Sequence, residues 1–171
     1  MSTATPDIGA QAYGWWRTLN PENGPINRGA LARLRRADDP VELAFIDEAA
    51  KLSRRLQADT PEAMMKAARI AHLLAHVRDN AFPKVARALG PQSGDESAVM
   101  SEARFRRLLQ ARDDEDLDRR LIRAVKMLKG TVNVADLANA VWWWNERTRR
   151  DWAFNYFNAP LPEADSVSNA A

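Results

Sequence analysis

Residues 104–157 read RFRRLLQARDDEDLDRRLIRAVKMLKGTVNVADLANAVWWWNERTRRDWAFNYF. Apolar residues return every three or four positions, which is the period of an α-helix and not of a strand. At about 100° per residue, Leu117, Leu121, Ala124, Val125 and Leu128 gather on one face of a helix over 114–129. Arg119, Arg123 and Lys126 gather on the opposite face, with Lys129 at the end. Asp113 is placed to cap this helix, and Gly130 is the residue type that stops one. The acids end at Asp118, in the turns where they complement the positive helix start.

On either side the same logic continues. Ser101 caps a helix to 111, in which Arg106, Arg107 and Gln110 turn away from Phe105, Leu108 and Leu109. Asn133 caps the helix that carries Trp142, Trp143 and Trp144, and Thr148 restarts a last helix through 157. Trp144 shares a face with Leu137 and Val141 and reads as core, as do Trp152, Phe154 and Phe157. Only Trp143 points away as an exposed contact.

Towards the N-terminus, helices are expected over 8–19, 27–37, 40–57, 61–78 and 83–90. Asn27 caps the second of them. Asp39-Pro40 and Thr60-Pro61 each pair a capping residue with proline at the first helical position. Leu43, Phe45, Ile46, Ala49, Leu52 and Leu56 are read as the inner side of 40–57. With no alternating strand pattern anywhere, the expected fold is all-α, a compact bundle of about eight helices. Residues 11–158 form the domain, with 1–10 and 159–171 as flexible tails. The polar stretch 91–100 (PQSGDESAVM) is a candidate boundary should the bundle divide into two small lobes.

The 171 residues are 46% hydrophobic and 28% charged, enough apolar material for a real core. The absence of cysteine excludes disulfides, thiol catalysis and Cys-ligated metal. The N-terminus MSTATPDIGAQ has no signal-peptide pattern, and no apolar run approaches membrane-spanning length, so a soluble, cytoplasmic protein is expected. His72 and His76 stand at i and i+4 with Asp79 beyond. No third histidine and no HExxH glutamate accompany them, and no metal or other cofactor is expected. Gly-rich phosphate loops and nucleophile elbows are absent as well, so the chain is read as a non-enzyme.

The net charge is only +2, but the cations cluster. Residues 28–36 hold four arginines and no acid, and residues 101–150 hold 12 Lys/Arg against 8 Asp/Glu. Arg28, Arg35 and Arg36, then Arg106 and Arg107, then Arg119, Arg123 and Lys126, then Arg147, Arg149 and Arg150 make four separate groups. Any amphipathic helix needs a solvated face. Four cationic faces low in acid point instead to a polyanion, bound through its phosphates.

Several segments in succession carry a family likeness. They are the Trp15-Trp16 helix, LARLRRADDP (31–40), AFIDEAAKL, KVARALG (84–90), RFRRLL (104–109), DLDRRLIRAVKMLKG (116–130) and VNVADLANAVWWWNERTRRDWAFNYF (132–157). Together, over about 11–158, the chain resembles the CasB family, the small subunit of the type I-E CRISPR surveillance complex Cascade. The resemblance implies an all-α, non-catalytic subunit that packs beside a second copy of itself, other Cascade subunits and crRNA. It implies contact with single- and double-stranded DNA, stabilising the R-loop by holding the displaced non-target strand on a basic surface. By position, Arg35, Arg36, Arg104, Arg119, Arg120 and Arg147 to Arg149 match basic positions of the family. Adding the cations read from helical faces, the expected binding set is Arg28, Arg35, Arg36, Arg104, Arg107, Arg119, Arg120, Arg123, Lys126, Arg147 and Arg149. The alternative is a helical scaffold whose arginines contact crRNA and partner subunits, with no direct role on DNA.

Overall fold

Short polar side chains start most of the helices. In the computed structural model, which describes residues 4–92 and 97–158, Asp7, Asn27, Asp39, Thr60, Ser101, Asp113, Asn133 and Asn145 each accept a backbone N–H of the helix that follows. The helices are α1 (Ile8–Leu19), α2 (Arg28–Arg36), α3 (Pro40–Ala44), α4 (Asp47–Arg55), α5 (Pro61–Leu74), α6 (Val85–Leu89), α7 (Glu102–Leu109), α8 (Asp114–Met127), α9 (Val134–Trp142) and α10 (Glu146–Tyr156). The all-α expectation holds, with ten helices among the described residues where about eight were expected. The expected C-terminal tail, 159–171, lies outside the described residues, as do 1–3 and part of the 91–100 connection. At the other end α1 already begins at Ile8, whose side chain is buried.

Of the nine ranges expected to be helical, 40–57 divides into two helices. The chain turns at Phe45 and Ile46, α4 restarts without a side-chain cap, and Phe45 is 83% exposed instead of packing inward. The helix expected to reach Arg78 stops at Leu74 for a different reason. Residues Asp79–Asn80 (β1) pair in parallel with Thr131–Val132 (β2), Asp79 opposite Thr131 and Asn80 opposite Val132. This small sheet was not expected. Side chains fasten the same segment to the start of α9: Asn80 accepts from the Val134 N–H at 3.0 Å, and Asp136 from the Val85 N–H at 2.8 Å. Burial pushes the Asp136 carboxyl up from its ordinary range.

α5 is the central element, packed against α2, α3, α4, α8 and α9. Its Ala67, Ala68, Ile70, Ala71, Leu73 and Leu74 are all buried. One continuous hydrophobic core runs from Ile8 to Tyr156. Both indole N–H groups of α1 are satisfied across it, Trp15 to the Glu48 carbonyl at 2.8 Å and Trp16 to the Val77 carbonyl at 3.2 Å. The buried Tyr156 hydroxyl donates to the Met100 carbonyl at 2.6 Å, tying α10 to the segment entering α7. At the end of α8, Lys129 (φ 56°) and Gly130 (φ 76°) are both left-handed and reverse the chain into β2. Glycine takes that conformation freely, and here its open side also receives the Arg78 stem.

Candidate nucleic-acid interface

α7 and α8 are amphipathic helices packed side by side. Phe105 and Leu108 of α7, and Leu117, Leu121, Ala124 and Val125 of α8, point into the core. The residues left outward along their junction are cations. Arg104 and Arg107 from α7 and Arg120, Arg123 and Lys126 from α8 line a depression of about 510 Å³, together with Met100, Leu108 and Met127. No carboxylate lines it among the described residues. Arg120 is held in place by Asp116, whose Oδ1 accepts from its Nε at 3.0 Å. Asp116 also accepts from the Arg112 backbone N–H, and that bond leads the causes that hold its carboxyl below the usual range.

A second basic depression, about 480 Å³, forms between α2 and the turn after α5. Arg28, Arg35 and Arg78 line it, with Asp79 as the acid. The Arg35 guanidinium donates to the Ala75 carbonyl at 3.0 Å, which fixes α2 over the end of α5. The electrostatics of His76 involve a cation from each depression. Burial first, then the charges of His72, Lys126 and Arg35, lower its pKa to about 4. Lys126 lines the first depression and Arg35 the second, so one imidazole feels a cation from each.

The remaining expected residues fall elsewhere. Arg119 was read as heading the stripe with Arg123 and Lys126. It instead lines a separate hollow with Asp38, Asp114, Glu115 and Asp118, and donates to Glu115 at 2.9 Å. Packing against α5 and α7 divides what looked like one helical face. Arg36 is exposed but lines neither basic depression, and its Nε donates back to the Ala32 carbonyl at 3.2 Å. Arg149 lines a shallow hollow with Trp144, Gln110 and Glu146, the one cation among its described lining residues, and Arg147 is simply exposed. Arg106, grouped with Arg107 by helical position, pairs with Glu102 at 2.6 Å.

Two arginines escaped the sequence reading. Arg78 was assigned to the end of a helix, and only the β1–β2 pairing turns it toward Arg28 and Arg35. Arg69, in the middle of α5, is 6% exposed and makes a bidentate bond to Asp118, 2.8 Å on each arm. It is a structural tie between α5 and α8. Ala67, Ala68 and Ala71, on the other sides of the same helix, were the available signal that it is enclosed.

Trp143 is 49% exposed, as expected, and Phe157 is 52% exposed, contrary to its reading as core. Tyr156 takes the inner place, stacked on Phe105 with ring centroids 4.1 Å apart. α9 ends at Trp142, so Trp144 is partly buried by an edge contact with Trp152 and not by sharing a helical face. His72 Nδ1 lies 2.6 Å from the Leu34 carbonyl. Asp79 belongs to β1, so it does not continue the His72–His76 row along a helix. Among the described residues no group of three His, Cys, Asp or Glu is placed to hold a metal ion. No described helix is long and apolar enough to cross a membrane.

The sequence model of the CRISPR-associated protein Cse2 matches residues 30–157, three quarters of the chain and every expected binding residue except Arg28. The chain belongs to the Cse2 family. Cse2 and CasB name the same family, so the likeness seen along the sequence is upheld. Similarity of fold agrees: a chain in the crystal structure of E. coli Cascade bound to a PAM-containing dsDNA target superposes with a TM-score of 0.64. The match covers 86% of this Cse2-family chain and 94% of that one at 19% identity, a level that speaks to the fold alone. Comparison with curated protein sequences finds no match.

Proposed function

We propose that this Cse2-family chain is a non-catalytic Cascade subunit that holds the displaced non-target DNA strand on the α7–α8 depression, with the second basic depression at Arg28, Arg35 and Arg78 as a further contact. The observation that carries this is the convergence of five cations on one concavity with no carboxylate among its described lining residues. Such a surface neutralises phosphates without reading bases, which suits a subunit that must accept any target. Guide pairing replaces a DNA duplex with a heteroduplex of similar stability, so modest backbone contacts decide how long the open state lasts. The partners on this reading are the other Cascade subunits, crRNA, a second copy of the chain, and DNA in single- and double-stranded form. The scaffold alternative gives the arginines to crRNA and partner subunits. Val41, Phe45 and Met64 are exposed around α3 and the start of α5 and line neither basic depression. Apolar surface of that kind serves protein contact and leaves the cations for the strand.

The salt dependence of single-stranded DNA binding by the full chain tests the proposal. Each phosphate neutralised contributes about −0.7 to the log–log slope on a single strand. The triple change Arg107→Ala, Arg123→Ala, Lys126→Ala should make the slope shallower by about 2. The control triple Arg36→Ala, Arg119→Ala, Arg147→Ala should leave it nearly unchanged. No binding by the free chain even at low salt, or equal effects of the two triples, would favour the scaffold.

A further inference from the structure

A flat phosphate-binding surface needs cations and nothing more. The α7–α8 depression offers two further features. At about 510 Å³ it falls within the roughly 300–1,000 Å³ of small-molecule pockets, large enough for a nucleotide and not only a phosphate. Its lining is partly apolar: half-buried Met127 joins the buried Met100 and Leu108. Four of the five cations around it are arginines, whose planar guanidinium groups stack on the faces of bases as well as pairing with phosphates.

Duplex DNA keeps its bases stacked inside and presents only its backbone to such a concavity. A single strand is free to turn a base inward. We infer that the depression is a nucleobase subsite, taking one unstacked base of the held strand against Met127 while the flanking phosphates lie on the surrounding cations. This rests on the reading that a strand is held here. It adds a reason for the surface to prefer single strands to duplex, since only the former can turn a base onto the apolar lining.

The probes are an oligothymidylate and a strand of equal length and charge whose sugars carry no bases, each titrated against the full chain. The abasic strand should bind about tenfold more weakly, the low end of what stacking one base on an aromatic ring contributes, with the salt slopes alike because the phosphates are unchanged. Met127→Ala should bring the ratio of the two affinities toward one while leaving the abasic strand's own affinity unchanged, which also reports that the cationic frame is intact. Trp143→Ala should leave the ratio at its wild-type value. Equal binding of the two strands by wild type would overturn the subsite while leaving strand holding in place. A ratio that collapses with Trp143→Ala, or persists in Met127→Ala, would place base contact elsewhere and equally overturn it. Failure of both strands to bind would remove the underlying reading and the subsite with it.

Discussion

His76 feels positive charge from three elements: His72 on α5, Lys126 on α8 and Arg35 on α2. Its Nε2 is buried and has no hydrogen-bond partner among the described residues. Burial and those charges bring its folded pKa to about 4, from an ordinary value of 6.5. Between these values the unfolded chain binds more protons than the folded one, so stability rises with pH there. The contribution is complete above about pH 6.5 and is lost as pH falls toward 4, at most about 3 kcal/mol in all. Urea unfolding at pH 7 and pH 5 should show the wild type losing more stability than His76→Leu over that interval. A difference between the two proteins that stays constant with pH would contradict this environment for His76. In the sequence the residue was visible only as half of an incomplete metal pattern. Its actual setting depends on α2 and α8 both packing against α5, which no local spacing encodes.

Elements with strong caps and a full apolar face were legible at the scale of the helix. Asp113 before α8, with Leu117, Leu121, Ala124 and Val125 inside, behaved as helical geometry requires. The break between α3 and α4 carries neither glycine nor proline, and a five-residue helix followed by a turn shares its period with one continuous helix. Two-residue strands are too short to alternate, so β1 and β2 left no pattern to read. The start of α10 was misplaced because two cap-competent residues stand three apart. Asn145 is the cap, accepting from the Thr148 N–H at 3.0 Å, while the Thr148 hydroxyl donates back to the Trp143 carbonyl at 2.5 Å. Asn145→Ala should therefore cost about 1 kcal/mol in thermal or urea unfolding, as lost caps do. No measurable loss would mean that α10 begins elsewhere.

Over the whole molecule, the Cse2-family fold sorts the cations into distinct surroundings. Helical periodicity identified which arginines face outward, but not which of those faces meet. Arg119 and Arg123 lie one turn apart on α8, yet one joins the acidic hollow under α3 and the other the basic depression beside α7. Arg78 joins Arg28 and Arg35 only because a parallel strand pair holds the chain there. Exposed side chains changed to alanine usually alter stability by no more than about 0.5 kcal/mol each, so function can be tested apart from folding. The most direct measurement is R-loop lifetime on a fully matched target in an assembled Cascade complex, with equal incorporation of each variant verified. The account predicts that Arg107→Ala, Arg123→Ala, Lys126→Ala shortens that lifetime, increasingly so at higher salt, while Arg36→Ala, Arg119→Ala, Arg147→Ala leaves it near wild type. An unchanged lifetime with the first triple would contradict the holding of the displaced strand on the α7–α8 surface.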